Sequence, residues 1–569
     1  MVLRLNRRSV CLIIAAGLAA LFCLPYFCSD LLALEHDTLF HLSRIEGLSE
    51  AIRRGDFLPA LYAYKNNGFG YASPLFYCDI LLIPFSLLLL AGLPLSWCYK
   101  LLIFCTTMFS TYAVLRLLAR IVRNPFCAVA LSTAFCFSSY RITDVYVRGA
   151  VGEMMAIGFL AVVITGLRDL LESDDAHGGW LLYTGLCGLI FSHNLTFLFG
   201  AVSVVLITAA YIDRISAKVF RAGVSAALGT FLTTAWFTLP MMEQLHSQEF
   251  ILHYYAGSSQ LERYAMPLWK YFAEQTVFGY GENDIARDRQ MIVNIGLAVT
   301  ALSLLYPFTV LKTRKSKPAR FETVAWVLGM VCLILPWDWF PWASFSALRV
   351  LQFPWRLMTP ALILLLPAAA VTADRLFHHK QIPAIIFTAL LLCEGIWHLI
   401  PAFDRPFGIT SDTTWQMITS GELIDPYYSA TYMRVELAGG DYLPIDSPDF
   451  RTEVPAVRDA YGSPLDASMV RNGAVLTVSL NEVPEDGILE LPLTFYKGYA
   501  CTVNGIEVPV QASDRALVRI QSQEPGTIRV WYRGTVLRRI CIPLSLLAAA
   551  GILFLYIKKR PSNDRPSEY

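Results

Sequence analysis

MVLRLNRRSVCLIIAAGLAALFCLPYFC, residues 1–28, sets a basic stub against an apolar run. Such a pattern can be a secretory signal. Here the run is about 20 residues, enough to cross a ~30 Å hydrocarbon core, and it lacks an A-x-A-like cleavage site. It reads as an uncleaved first membrane helix, with a cleaved signal as the plainer alternative. The rest of the chain extends that reading. Hydrophobic residues make up 55% of the 569 and charged residues 16%, with a mean hydropathy of +0.48; an ordinary soluble domain carries about 25% charged residues. A soluble fold of this size keeps too much accessible surface to hide so many apolar side chains. A net charge of +1 excludes a nucleic-acid partner, which needs a basic stripe. Twelve Trp and 27 Tyr suit two interfacial belts. Of the 13 Cys, all but Cys501 fall in apolar stretches, and no CxxC or Cys/His cluster at zinc spacing occurs.

Working outward, apolar windows recur near 9–28, 76–94, 97–118, 125–140, 152–170, 179–193, 195–212, 219–240, 291–311, 321–338, 357–374, 381–401 and 538–557. The basic segments are Arg4, Arg7 and Arg8, then Arg214, Lys218 and Arg221, the loop 312–320, Arg375 with Lys380, and 558–560. The positive-inside rule assigns all of them to the cytoplasm. Seven windows then separate two cytoplasmic segments, where an even number is required. The conflict centres on 75–150, where Arg116, Arg120 and Arg123 also favour the cytoplasm. A total of 12 or 14 spans follows.

The expected organisation is an α-helical polytopic membrane protein in the plasma (inner) membrane, both termini cytoplasmic. Its parts are a first helix (1–28), a first outer loop with interfacial helices (29–75), a multi-span core (76–401) with outer loops 242–290 and 339–356, an extracytoplasmic region (402–537), a final span (538–557) and a cytoplasmic tail (558–569). Within 402–537 the sequence alternates as strands do, in AVLTVSL (474–480), ILELPLTFY (488–496), ALVRIQS (516–522) and TIRVWYR (527–533). The turn pairs Asn472-Gly473, Asp486-Gly487 and Asn504-Gly505 separate them, so a small outer β-sandwich is expected.

Four polar clusters fall on the outer side. In the first loop, Glu35, Asp37, His41 and Arg44 follow the first helix. A helix over 37–54 places Asp37, His41 and Arg44 on one face, and Leu39, Leu42, Ile45 and Leu48 let it lie flat in the interface. A carboxylate beside an imidazole is a general-base pair, in which His41 orients the carboxylate or raises its pKa. Equally, Asp37 can be a helix N-cap. The loop continues into a Gly- and aromatic-rich turn that includes Tyr71. The second cluster is Arg148 with Glu153, which can grip a phosphate or pair with each other. His193 and Asn194 form the third, at a span junction, where polar groups cost free energy unless they serve a purpose or satisfy one another. The fourth holds Arg349, Gln352 and Arg356; its cations suit an anionic lipid headgroup or ordinary anchoring to membrane lipid.

An acidic first outer loop, many spans and a C-terminal extracytoplasmic β-domain together resemble the GT-C class of membrane glycosyltransferases. More closely, EHDTLFHLSRI, NGFGYASPLFY, YVRGAVGE, FSHN and LQFPWR, with a β-domain around YKGY (496–499), resemble a bacterial integral-membrane family labelled "6-pyruvoyl-tetrahydropterin synthase-related". They are also similar to large bacterial membrane proteins implicated in glycosylating cell-wall polymers. The resemblance implies transfer of a sugar from a polyprenyl-phosphate-linked lipid, presented from the outer leaflet, to an envelope glycan or lipid acceptor on the outer face, inverting the anomeric centre. It puts the base on Asp37, with Glu35 competing and His41 beside them. It implies substrate binding by Arg44, Tyr71, Arg148, Glu153, His193, Asn194, Gln352 and Arg356. Many GT-C enzymes carry a doubled acidic pair or a second carboxylate in a later outer loop. Here the pattern is Glu-His-Asp, and Glu153 is the only second carboxylate on offer, which leaves use of a divalent metal open. A non-catalytic envelope-assembly protein and a lipid-linked sugar transporter or flippase are the competing readings.

Overall fold

The computed structural model describes residues 7–28, 32–33, 35–173, 177–253, 261–265, 267–273, 293–312, 320–377, 380–403, 408–409, 440–450 and 452–559. About half of the outer loop 242–290, residues 313–319 of the basic loop, the segment 410–439 and the tail beyond 559 lie outside the described residues.

Each of the apolar windows carries a helix. Six described helices are long and apolar enough to cross a membrane: Leu95–Leu118, Val151–Ser173, Ala217–Leu245, Pro354–Phe377, Gln381–Phe403 and Val536–Lys558. The pair Pro125–Cys136 and Ser139–Tyr146, bent by 41°, makes a seventh if read as one broken span. The other apolar helices are shorter, among them Arg8–Phe22, Ile80–Leu90, Asn194–Ala209 and Leu297–Leu311. At ~1.5 Å per residue a 16-residue helix reaches only about 24 Å, short of a ~30 Å core. An apolar run therefore counts more crossings than helix length does, because it continues through breaks. The break at 137–138 and the short helix Ile83–Leu90 both fall in 75–150, the stretch where the charge pattern was inconsistent.

Burial sorts the helices by depth. Over its apolar window Pro354–Phe377 is 89% buried, and Val151–Ser173 78%. These two form the centre. Val536–Lys558 is only 11% buried and exposes Leu546, Leu547, Leu553, Phe554 and Ile557. A soluble protein does not leave so large an apolar face open, whereas a lipid-facing helix must.

The helix Thr38–Arg53 departs from the expectation of an interfacial helix. His41, Leu42, Arg44, Ile45 and Leu48 are all buried, and Leu42, Ile45 and Leu48 share a core with Leu82, Phe85, Leu95, Cys98 and Leu102. Its apolar stripe is covered by neighbouring helices of the same chain. Packing absorbs it instead of the membrane surface.

Two strand residues, β1 (Leu32–Ala33), pair antiparallel with β2 (Gly408–Ile409). The remaining strands form a C-terminal antiparallel domain: β3 (Ala467–Asn472), β4 (Val475–Leu480), β5 (Ile488–Thr494), β6 (Tyr499–Val503), β7 (Ile506–Val508), β8 (Gln511–Ala512), β9 (Leu517–Gln521) and β10 (Gly526–Tyr532). One sheet runs β3-β4-β10-β6-β7 and the other β5-β9-β8. Their inner faces bury Leu476, Val478, Leu489, Leu491, Val518, Ile528 and Val530 in one core. Asn504 and Gly505 join β6 to β7 with φ of 50° and 85°, the left-handed pair that a two-residue hairpin turn requires.

Candidate functional site

The site is built where the first loop crosses the turn at 147–149. The His36 amide donates to Val147 O (3.2 Å) and the Asp37 amide to Arg148 O (2.9 Å). Gly149 makes this crossing feasible: its φ is +59°, and a Cβ there would sit 2.9 Å from Thr38 Oγ1 and 3.0 Å from Glu35 Cβ.

Two carboxylates two residues apart meet opposite fates. Glu35 is 5% exposed; it accepts from Tyr26 Oη at 2.9 Å and from Thr38 Oγ1. Asp37 holds the N-cap position of Thr38–Arg53, yet its side chain makes no cap bond. The capping role open to it in the sequence is not the one it plays. Half-buried, Asp37 lies within electrostatic range of Arg148, Arg356 and Glu153. Burial pushes its carboxyl above the ordinary aspartate range, with Arg148 and Arg356 pulling the other way.

His41 belongs elsewhere. Its Nδ1 sits 3.0 Å from Arg44 Nη1, and since a guanidinium only donates, His41 accepts there and carries its proton on Nε2. Burial first, then the charges of Arg44 and His193, hold it well below the usual histidine range, so it stays neutral. Arg44 in turn donates to Asp79 Oδ1 from Nε (2.7 Å) and to Cys78 O from Nη2 (2.9 Å), and stacks 4.1 Å above the Tyr77 ring. Tyr62 Oη donates to the same Asp79. Helical spacing correctly put His41 and Arg44 near one another. The pair expected between His41 and Asp37 is replaced by one with Arg44, because Asp79 draws the guanidinium inward.

Arg148 and Glu153 do pair, at 2.8 Å, and Arg148 Nη1 also donates to Asp144 at 2.5 Å. Glu153 accepts further from Tyr140 and Thr359, and the Arg148 guanidinium lies 4.6 Å from the Trp355 ring. Arg356 is different. Its Nη1 donates to Gln352 Oε1 at 2.7 Å, while its buried Nε has no hydrogen-bond partner among the described residues. Gln352 adopts φ +62° to present that oxygen, so its part is to hold Arg356. Arg349 is exposed on the short 3-10 segment Ser346–Leu351. His193 bonds Thr196 Oγ1 through Nδ1 at 2.8 Å and lies within range of Glu153, Arg356 and Arg148. Asn194 faces Phe76 O (3.2 Å) and Met241, and Tyr71 Oη accepts from Tyr442 N at 3.4 Å. Asn194 and Tyr71 thus help fix the walls.

Two site residues escape the sequence reading. Tyr77, the last residue of NGFGYASPLFY, lies in range of Asp37, Glu153 and Arg356. Gly152 makes room for it, since a Cβ there would come 1.6 Å from Tyr77 Oη. Asp441 reaches the site from the far end of the chain. Residues 440–445 pair with 249–252, through Leu252 N to Asp441 O (2.8 Å) and Ile251 N to Leu443 O (2.9 Å), and Tyr442 stacks on Phe76 with centroids 5.1 Å apart. Asp441 lies within range of Asp37 and Arg356; its wall of protein, and then Asp37, raise its carboxyl to about 6. Solvent still reaches it, as expected at the rim of a cleft. Glu153 is enclosed by Arg148, Tyr140 and Thr359, whereas Asp441 is open to solvent. Among the described residues no group of three His, Cys, Asp or Glu is placed to hold a metal ion.

No protein-family model and no curated protein matches the chain, so the family resemblance stands on its short motifs alone. Among solved structures the chain is similar to the cryo-EM structure of arabinofuranosyltransferase AftD from Mycobacteria, at 14% identity and TM-score 0.47, covering 93% of this chain and 40% of that one. A mutant of the same enzyme matches at 14% identity and TM-score 0.44, covering 73% and 30%. The chain thus spans less than half the length of either, and at these values the likeness assigns no activity. The fold itself defines a helical multi-pass membrane protein with a small C-terminal antiparallel β-domain.

Proposed function

We propose that this chain is a GT-C-type membrane glycosyltransferase. It transfers a sugar from a polyprenyl-phosphate-linked donor to an envelope glycan or lipid acceptor on the outer face of the plasma membrane. The observation that carries this reading is one open carboxylate, Asp37, accepting no hydrogen bond among the described residues, within range of an Arg356 whose buried Nε is unpartnered. Asp37 takes the proton of the acceptor hydroxyl as its oxygen bonds to the anomeric carbon. The bond from that carbon to the phosphate oxygen breaks, and its electron pair leaves with the lipid phosphate. Arg356 donates to the charge developing there. Attack opposite the leaving group inverts the anomeric configuration. Arg148, held by Asp144 and Glu153, contributes its field and keeps the floor of the site rigid.

The test is Asp37→Asn in cells, read by mass spectrometry of envelope glycans beside a deletion strain. The expected result is the deletion profile with normal membrane expression. Wild-type glycans from the Asn variant, or an unchanged profile in the deletion strain, would sink the transferase reading.

A further inference from the structure

A cleft opens in the molecule away from Asp37. It lies along the second half of the helix Thr38–Arg53, encloses about 1170 Å³, and is closed on its other sides by residues 61–65, the turn 89–95 and the β3–β4 hairpin tip at 472–474. Drug-sized ligands occupy about 300–1,000 Å³, so this space suits a chain of several small rings. From Asp37 it begins about 14 Å along the helix at Glu46 and ends about 25 Å away at Arg54.

Its chemistry is specific. Three acidic side chains (Glu46, Glu50, Asp56) face three basic ones (Arg53, Arg54, Lys65), so the lining carries no net charge. These charges are mostly paired already: Lys65 with Glu46 at 2.6 Å, Arg53 with Glu50 at 3.0 Å, and Arg54 with the same Glu50. A phosphate, a polyanion or a nucleic acid needs surplus cation, and the one beside this cleft, Arg471, is set behind Tyr64 and Gly473 and does not line it. A purely apolar ligand would have to displace water from six charged groups without replacing their hydrogen bonds. A neutral polyhydroxyl chain meets neither obstacle. Its hydroxyls can donate to the carboxylates and accept from the guanidinium and ammonium groups, while its C–H faces rest on Leu93, Pro94 and Tyr64. Tyr64 is fixed there: its Oη accepts from Gly473 N at 3.1 Å, Arg54 covers part of its ring at 4.5 Å, and 42% of it stays exposed.

We propose that this cleft binds a neutral oligosaccharide, the acceptor glycan remote from its reacting end, gripped between the first-loop helix and the β-domain. The identification of the ligand as an acceptor rests on the transferase reading above; the cleft and its chemistry do not. The test uses the full chain in lipid nanodiscs and saturation-transfer NMR, with neutral oligosaccharides released from the envelope of the cells that make the protein. Wild type is expected to bind, and Asp37→Asn to bind equally. Tyr64→Ala and Glu50→Lys, at a solvent-facing ion pair of little structural weight, are each expected to weaken binding about tenfold, or 1.4 kcal/mol. In a transfer assay both should raise KM for the acceptor more than they lower kcat. Absence of wild-type binding while transfer proceeds overturns the cleft and leaves the transferase standing. Binding unaltered by both cleft variants overturns it as well. Binding lost in the cleft variants, with envelope glycans unchanged both in Asp37→Asn and in the deletion strain, upholds the cleft and removes the transferase.

Discussion

The floor of the site and its rim handle charge in opposite ways. On the floor most of the described ions have found a complement, Arg44 with Asp79, Arg148 with Asp144 and Glu153, Glu35 with two hydroxyls, while the buried guanidinium of Arg141 lies against the Phe135 ring with no hydrogen-bond partner among the described residues. On the rim, the Asp37 carboxylate accepts no hydrogen bond among the described residues, Arg356 has a buried unpartnered Nε, and Asp441 is pushed up to about 6. Closed pairs offset the cost of desolvation and hold helices in register. Open charges gain nothing from the fold, and they become useful when a substrate supplies the missing partner. Shape is thus maintained a few ångströms below the place where chemistry is proposed.

The contrast breaks most visibly at Asp37. Asp37→Asn is expected to cut glycosyl transfer by about 10²–10⁴-fold. Its melting temperature should not fall, because burial already disfavours the charged form in the folded state. A lower melting temperature with transfer retained would move Asp37 to the structural floor. Next comes Arg44→Met, which strands a buried Asp79 and should cost about 3–5 kcal/mol. The double variant Arg44→Met with Asp79→Leu should recover most of that loss in chemical denaturation; additive losses would show that the pair is not what holds this corner. Third, Arg356→Lys keeps the charge and loses the fork, so KM for the lipid donor should rise about tenfold with little change in melting temperature. A variant that binds donor as wild type does would free Arg356 of the phosphate.

The smallest effect is that of pH. The Asp441 carboxyl stands at about 6 in the folded chain against an ordinary 3.8. Between those values the folded state holds more protons than the unfolded one, so stability falls as pH rises from about 4 to 6 and is level above. Asp441→Asn should flatten that slope in a series of thermal melts. Because solvent reaches Asp441, the change will be modest. An unaltered slope would mean that the Asp441 carboxyl is not raised in the folded chain.

Legibility followed the range of the interactions. β4, β5, β9 and β10 fall where alternation was plain, and Asn504-Gly505 makes its hairpin. β3 (ASMVRN) is less legible, being an edge strand with no fully buried residue. Asp37, Arg356 and Glu153 could be nominated because each sits beside a span end. What they do could not be read. The spacing of Asp37, His41 and Arg44 tells which face they share, but the partner that claims Arg44 is Asp79, outside the helix. Tyr77 carried a faint signal as the end of a quoted motif, and Asp441 carried none, lying in a polar stretch with many equivalent acids.

What this sequence determined by itself is its medium: 55% hydrophobic residues in separated apolar runs produce membrane helices, since a helix satisfies its own backbone and needs only local composition to enter lipid. It also determined the β-domain, through period-two alternation and short turns. The tertiary structure alone decided which charges close and which stay open. A hydrogen bond between residues 44 and 79, or a carboxylate brought from 441 to face 37, depends on where distant segments pack, and no local pattern encodes that placement.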